Sequence, residues 1–190
     1  MSQKPNNYLV DLNNYKVVKS INKGGFGVVY LIKNLKTGHY LAAKVNQLNT
    51  KKSLDRQLEY ISREIGILIR FRHPTIITFY GFSLNDFFGT KNPTILLDYM
   101  PKGSLADVLS KERHGHCPAG YNNTKRQMIL AGIAKGMMVL HDNFVIHRDL
   151  KPGNVLLDDQ YKPRITDFGL SKYFDPTNSK RQSMANCGTC

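Results

Sequence analysis

Residues 147–154 read His147-Arg148-Asp149-Leu150-Lys151-Pro152-Gly153-Asn154. The apolar run Val155-Leu156-Leu157 follows directly, and the triplet Asp167-Phe168-Gly169 comes shortly afterwards. Charged and amide side chains are therefore concentrated in one short segment next to apolar residues. Each piece alone could be structural, so its meaning depends on the rest of the chain.

A glycine-rich stretch occurs near the start of the chain, where residues 22–29 read Asn22-Lys23-Gly24-Gly25-Phe26-Gly27-Val28-Val29. It lies between two predicted strands. Glycines allow the backbone to approach a ligand closely, and backbone N–H groups free of side chains can bond phosphate oxygens. Glycine clusters are turns more often than phosphate sites, so this stretch alone is weak support for a phosphate site.

Two charged residues accompany the glycines. Lys44 follows the apolar residues Leu41-Ala42-Ala43 on a predicted strand, and Glu64 lies among the apolar positions of a predicted helix. A buried lysine needs an acidic partner, because otherwise its pKa falls, so these two could form an ion pair. Taken singly, a surface lysine and a solvated glutamate are the simpler interpretations.

Hydrophobic periodicity predicts the elements that carry these residues. Apolar runs separated by turn residues predict antiparallel strands over 15–44, with a hairpin loop at 34–38. The other predicted elements are a helix over 54–69, strands over 76–82 and 94–99, a helix from a Ser104 cap to Leu109, a helix over 124–141, and short strands and loops over 144–190. The helix over 124–141 is expected to bury one face, formed by Ile129, Leu130, Ile133, Met137 and Leu140. These elements indicate an α+β fold.

Taken together, the motifs resemble those of a eukaryotic protein kinase, in order, from about residue 15 to residue 190. The resemblance implies a two-lobed fold: a small antiparallel-sheet N-lobe with one helix over 15–97, a hinge over 98–103, and an incomplete, mainly helical C-lobe over 104–190 that ends in the activation segment. Residues 1–14 would form an N-terminal extension.

The same resemblance implies roles for the polar residues. Asp149 would be the catalytic base, and Lys151 would steady the transferring phosphoryl group. Lys44, oriented by Glu64, would hold the α- and β-phosphates of ATP. The oxygen ligands of Mg²⁺ would come from two residues, Asn154 and Asp167.

The resemblance also implies a nucleotide site, in which Val29, Ala42 and Leu156 sandwich the adenine. Leu97 would be the gatekeeper, and backbone groups of Asp98 and Met100 would bond the adenine edge. The full set of implied nucleotide-binding residues is Ile21, Asn22, Lys23, Gly24, Gly25, Phe26, Gly27, Val29, Ala42, Lys44, Leu97, Asp98, Met100 and Leu156. Asn22 departs from the kinase pattern, because it stands where the first glycine of the loop is expected.

Further residues have implied structural or regulatory roles. Leu68, His147 and Phe168 would stack in a column, and Arg148 would meet a phosphate on the activation segment. The hydroxyls available there are those of Ser171, Thr177, Ser179, Ser183 and Thr189, and Ser179 or Ser183 is the expected partner of Arg148.

Lys151 is typical of serine/threonine kinases, whereas the stretch 98–105 is of a style shared with tyrosine kinases. Both together favour the tyrosine-kinase-like group of serine/threonine kinases. The implied function is ATP-dependent transfer of a phosphoryl group to serine or threonine hydroxyls of protein substrates in signalling. Because the chain stops at Cys190, before the expected Ala-Pro-Glu triplet, a truncated kinase is expected, and a nucleotide-binding but inactive fragment or pseudokinase acting by protein contact is the alternative.

Composition leaves other function classes open. The 190 residues carry 27 Lys and Arg against 14 Asp and Glu, a net charge of +13, and residues 1–75 hold 13 of the basic and four of the acidic side chains. Such basicity is compatible with nucleic-acid binding, but no aromatic-rich platform or recognition-helix motif accompanies it, so no specific nucleic acid is expected as a partner.

The remaining features concern location and metals. No apolar run of signal-peptide or membrane-spanning length is seen, so a cytoplasmic protein is expected. The three cysteines are too few for a disulfide framework. A zinc site could be drawn from Cys187 and Cys190 with His114, His116 and Cys117, but the spacing matches no common zinc finger.

Overall fold

The computed structural model describes residues 8–24, 27–48 and 53–174. Short 3-10 helices lie at Leu12–Asn14 and Pro152–Asn154. The helices are α1 (Leu54–Arg70), α2 (Leu105–Arg113) and α3 (Asn123–Asp142). The strands are β1 (Tyr15–Gly24), β2 (Gly27–Asn34), β3 (Tyr40–Asn46), β4 (Phe79–Ser83), β5 (Thr94–Asp98), β6 (Val145–Ile146), β7 (Val155–Leu157), β8 (Pro163–Ile165) and β9 (Lys172–Tyr173).

The predicted α+β class and most of the predicted elements are confirmed. The Ser104 cap is confirmed as well: its hydroxyl accepts from the backbone N–H of Asp107, and the Asp107 carboxylate accepts in return from the backbone N–H of Ser104. This reciprocal box satisfies two backbone groups at the start of α2 and fixes where the helix begins.

Two predictions about the elements are wrong. The strand predicted from residue 76 begins only at Phe79, because Ile76 forms an isolated bridge with Ile165 instead. In this bridge the N–H of Ile77 donates to the carbonyl of Ile165, and the N–H of Ile165 donates to the carbonyl of Thr75. Leu130 was expected on the buried face of α3, yet it is 66% exposed. One residue past Ile129 it is rotated by about 100° around the helix axis, away from the packed face.

The packed face of α3 carries glycines. A Cβ added at Gly132 would collide with Pro163, and one at Gly136 would lie 2.7 Å from Ile165 and 2.8 Å from the hydroxyl of Thr75. Close approach of α3 to β8 therefore depends on these two glycines, which a search for apolar positions overlooks.

The chain forms two compact units. The first consists of Met1–Ile61 and Thr78–Tyr99 and contains one antiparallel sheet with the strand order β1-β2-β3-β5-β4. A core cluster of Ile32, Leu41, Ala43 and Leu96 covers one face of this sheet. The segment before β1 contributes Val10 and Leu12 to the same cluster.

The second unit consists of Ser62–Ile77 and Met100–Cys190. Its core joins α2, α3 and β7 through Leu105, Val108, Tyr121, Ile129, Val155, Leu157 and Tyr161. Residues 62–77, which the sequence assigns to the N-lobe, belong to this unit by their contacts.

Candidate active site

The segment 147–154 forms the loop between β6 and β7. Arg148 takes a positive φ of 66°, which is uncommon for a residue with a side chain. Pro152 starts the 3-10 turn Pro152–Asn154, where its fixed φ is suited to the first helical position. These local constraints turn the chain sharply between two strands and hold the polar side chains of the loop together.

Asp149 is the centre of this loop. Its carboxylate accepts from Lys151 Nζ, at 3.1 Å to Oδ1 and 2.8 Å to Oδ2, and from Asn154 Nδ2 at 2.9 Å to Oδ2. The hydrogen bond to the carboxylate raises the pKa of Lys151, so this lysine stays charged at neutral pH. Asp149 is thereby held in one orientation, with a cation at its side.

Asn154 connects this carboxylate to the Asp167 segment. Its side-chain nitrogen also donates to the backbone carbonyl of Asp149 at 2.8 Å, and its own backbone carbonyl accepts from the N–H of Thr166 at 3.0 Å. Both of these side-chain bonds use Nδ2, so Oδ1 of Asn154 is the atom suited to a ligand. Asp167 follows Thr166 with a positive φ of 64°.

The side-chain oxygens of Asn154 and Asp167 are of the kind that binds a magnesium ion. Mg²⁺ prefers oxygen ligands, and proteins usually provide one or two carboxylates while substrate phosphates and water complete the shell. Within the described ranges, no cluster of three or more His, Cys, Asp and Glu side chains could hold a metal by itself. The amide oxygen of Asn154 and the carboxylate of Asp167 are therefore suited to a shared metal site that needs a phosphate.

The ring of His147 connects the loop to Thr166 through hydrogen bonds on both of its nitrogens. It is fully buried, its Nε2 donates to the carbonyl of Thr166 at 3.0 Å, and its Nδ1 accepts from the N–H of Asp149 at 3.3 Å. Burial lowers the pKa of His147, which agrees with a neutral ring that donates on one side and accepts on the other. The ring also packs against Phe168, with 5.1 Å between the ring centroids.

On the sheet of the first unit, four predicted nucleotide residues share one face. Lys44 pairs with Val29, and Ala42 pairs with Leu97. Residues paired directly across strands point to the same side, as do alternate residues of one strand. The core residues Leu41 and Ala43 alternate with this set, so the set lies on the face opposite the core cluster.

The glycine-rich turn joins β1 to β2. A Cβ at Gly27 would collide with the carbonyl of Val45, and the φ of Gly27 is +141°, so the fold itself requires glycine there. Gly24 differs, because a Cβ added to it would meet nothing within 4 Å. Gly25 and Phe26 lie outside the described residues.

Comparison with known proteins agrees with this geometry. The protein kinase domain family matches residues 15–190. The chain belongs to the protein kinase domain family. Relatives include Mitogen-activated protein kinase kinase 1 of Arabidopsis thaliana, 35% identical over 92% of this chain and 46% of that protein. Serine/threonine-protein kinase Aurora-1 of the same plant is 31% identical over 94% of this chain and 55% of that protein.

A third relative, Mitogen-activated protein kinase kinase kinase A of Dictyostelium discoideum, is 31% identical over 93% of this chain and 18% of that protein. The chain thus spans about half the length, or less, of these curated relatives. The predicted resemblance to a eukaryotic protein kinase is confirmed, whereas assignment to the tyrosine-kinase-like group stays a prediction.

The structure shows the surroundings of three residues of the kinase pattern, Glu64, Asp98 and Asn22. Glu64 is buried with 3% of its surface exposed, so it is not a solvated helix residue. The N–H of Asp98 donates to the carbonyl of Thr78 at 3.0 Å, so this group is already bonded within the first unit. Asn22 pairs with Val29 across the strands β1 and β2, and its φ is not positive. The unusual angles that asparagine tolerates are therefore not used at this position.

Ser171 does not fit the set of candidate phosphorylated hydroxyls. It is fully buried and donates to the carbonyl of His147 at 3.1 Å, so its role in the structure is to fasten the segment after Gly169 to the loop. Thr177, Ser179, Ser183 and Thr189 lie outside the described residues, as do Cys187 and Cys190 of the suggested zinc site.

Two arginines bond to the backbone of the segment after Asp167. The sequence did not predict the contact of Arg63, and it predicted a different partner for Arg148. Arg63, directly before Glu64, donates from Nη1 to the carbonyl of Gly169 at 3.2 Å. Arg148, expected to meet a phosphate, donates from Nε to the carbonyl of Leu170 at 2.6 Å. The only signal for Arg63 in the sequence is a basic residue beside the helix glutamate, which is too common to be informative.

No helix in the described ranges is long and apolar enough to cross a membrane.

Proposed function

We propose that this protein binds ATP with Mg²⁺ and transfers the γ-phosphoryl group to serine or threonine hydroxyls of protein substrates, as part of signalling. The observation that carries the proposal is the Asp149 carboxylate, bonded by both Lys151 and Asn154 beside the segment that contains Asp167. The matched relatives that are named serine/threonine kinases support the choice of acceptor.

In this reaction the acceptor oxygen forms a bond to the γ-phosphorus while the bond to the β-phosphate oxygen breaks and ADP leaves. The acceptor hydroxyl gives its proton to Asp149, which must lie within hydrogen-bonding reach of it. Lys151 keeps Asp149 oriented and places a positive charge where negative charge develops on the phosphoryl oxygens. No covalent intermediate on the protein is needed.

Magnesium bound by Asn154 and Asp167 would neutralise phosphate charge during transfer. Lys44 would hold the α- and β-phosphates, with Glu64 as its orienting partner. Ile21–Gly27 would cover the phosphates with backbone groups, since Gly24 has space on its Cα for a close approach. The adenine ring would contact Val29, Ala42, Leu97, Asp98, Met100 and Leu156.

The test is transfer of radiolabelled phosphate from ATP to a mixture of serine- and threonine-containing peptides. The wild-type chain is compared with Asp149→Asn and with Asp142→Asn, which removes an exposed carboxylate from the end of α3. We expect Asp149→Asn to lower the rate by at least about a hundredfold, the usual contribution of a general base, and Asp142→Asn to leave it unchanged.

Transfer that survives Asp149→Asn would contradict the assignment of the base. Binding of ATP by a wild-type chain that transfers no phosphate would instead favour the inactive, nucleotide-binding alternative.

A further inference from the structure

A cavity lies in the first unit, on the face of the sheet that carries the core cluster and not on the face that carries Lys44. Its volume is about 520 Å³, within the range of about 300–1,000 Å³ that is usual for ligand pockets. Its lining residues are Val10, Asp11, Leu12, Asn13, Tyr15, Val17, Ser83, Asn85, Asp86, Phe87 and Gly89. None of them is among the residues that the kinase reaction would use.

One wall of the cavity is the segment before β1. It is attached to β4 by two backbone bonds, from Val10 N–H to Phe82 O at 2.9 Å and from Phe82 N–H to Tyr8 O at 2.8 Å. Gly81, with φ of +150°, makes this approach possible, because a Cβ there would collide with Val10 and lie 2.7 Å from the Tyr8 carbonyl. The wall is therefore a built part of the fold.

Another wall is the loop between β4 and β5, organised by the buried carboxylate of Asp86. Its Oδ1 accepts from the N–H groups of Phe88 and Thr90, both at 2.9 Å, and its Oδ2 accepts from Asn92 Nδ2 at 2.9 Å. All three donors are neutral amide groups. They order the loop without neutralising the negative charge of Asp86.

Exposed aromatic and aliphatic side chains lie next in sequence to the lining residues. Phe87 packs on the core cluster beside Tyr30, while Phe88, next in the chain, is 71% exposed. Leu84 and Leu9, which also neighbour lining residues in sequence, are more than half exposed. A rigid loop that displays large apolar side chains beside a pocket is typical of a surface that binds another protein.

The charge of the cavity identifies the kind of partner. Both charged residues among its described lining are acidic, Asp11 and Asp86, although the chain as a whole carries a net charge of +13. The local charge of the cavity therefore does not favour nucleic acids or anionic lipids as its occupant. We propose that the cavity is a docking site for a short segment of a partner protein that places an apolar side chain beside a lysine or arginine.

The test uses the full chain and three sets of 10-residue peptides, each with a central Leu-Phe pair flanked by lysines, by glutamates or by serines. Fluorescence polarisation measures the dissociation constant of each set. Long-range attraction to a protein of charge +13 would favour the glutamate peptides. We expect the opposite order, with the lysine peptides binding about fivefold tighter than the glutamate peptides and also tighter than the serine peptides, because local ion pairs contribute up to about that factor.

Matched variants locate the binding. Asp11→Asn removes the charge but keeps a good N-cap for the 3-10 turn Leu12–Asn14, so the wall should remain folded. We expect Asp11→Asn and Phe88→Ala each to weaken binding of the lysine peptides by about two- to fivefold. Asp55→Asn and Leu130→Ala, which change an exposed acid and an exposed leucine that do not line the cavity, should leave the binding of the lysine peptides unchanged.

Glutamate peptides that bind as tightly as lysine peptides would overturn the proposal. So would equal affinity of the lysine peptides for Asp11→Asn and Asp55→Asn. Neither result depends on kinase activity, because phosphate transfer is not measured.

Discussion

Asn154 has two separable tasks in the proposed reaction, and Lys151 has one. Asn154 holds Asp149 through two hydrogen bonds and offers an oxygen to magnesium, whereas Lys151 contacts only the carboxylate of Asp149 in the bonds described above. Variants of the two residues should therefore differ in how they respond to the metal.

We expect Asn154→Ala to lower the rate of phosphate transfer by about a hundredfold or more and to raise the magnesium concentration needed for half-maximal rate. Lys151→Ala should lower the rate without changing that magnesium requirement. Steady-state assays across a magnesium titration measure both effects. A shift in magnesium requirement of the same size for both variants would contradict the separation of tasks.

His147 makes stability depend on pH. Its pKa is lowered in the folded protein because the ring is buried, so between that lowered value and about 6.5 the unfolded chain binds more protons than the folded one. Stability then rises with pH in this window, is fully present above about pH 6.5, and falls as the pH is lowered.

We expect the free energy of unfolding, measured by urea denaturation, to decrease from pH 7.5 to pH 5.5 in the wild-type chain. His147→Gln, which keeps a donor for Thr166 and cannot titrate, should flatten this decrease. His141→Gln, at the exposed end of α3, is the control and should retain the wild-type slope. An unchanged slope in His147→Gln would mean that other groups cause the pH dependence.

The glycine-rich turn between β1 and β2 combines a structural glycine with one that the fold leaves open. We expect Gly24→Ala to leave thermal stability nearly unchanged and to weaken ATP binding, since its new methyl group meets only space that a phosphate would use. Gly27→Ala should destabilise the protein, because an alanine would be strained at a φ of +141° and its Cβ would collide with the carbonyl of Val45. Gly66→Ala, an equally open position in α1, is the control for an added methyl group and should not weaken ATP binding.

Elements with strong periodicity were predictable, and those fixed by tertiary contacts were not. The period of α1 and the Ser104 cap of α2 are local signals, and both are confirmed. By contrast, Ile76 looks like strand but pairs with Ile165, far along the chain, and Leu130 looks buried although glycines form the contact face of α3. The Asp149 loop was recognisable from its residues, but the burial of Ser171 depends on the carbonyl of His147 and has no sequence signature.

The net charge of +13 affects any measurement of nucleotide binding by the whole protein. A polyanion can bind such a surface without a specific site, and this attraction weakens as salt is added. Specific binding of ATP must therefore be separated from general binding of triphosphate, and Asp167 provides a way to do so because its proposed role requires the metal.

We expect ATP with Mg²⁺, at about 100 times its dissociation constant, to stabilise the folded protein by about 2.7 kcal/mol and to raise Tm by about 5–10 °C. Inorganic tripolyphosphate with Mg²⁺, which lacks the adenine, should give a smaller increase that disappears at about 0.5 M salt. Asp167→Asn should remove most of the magnesium-dependent part of the ATP effect, whereas Asp159→Asn, an exposed carboxylate in the same unit, should retain it. Equal stabilisation by ATP and tripolyphosphate would show that charge alone accounts for the binding, since only ATP can use the residues of β2, β3 and β5 that are proposed to contact the adenine.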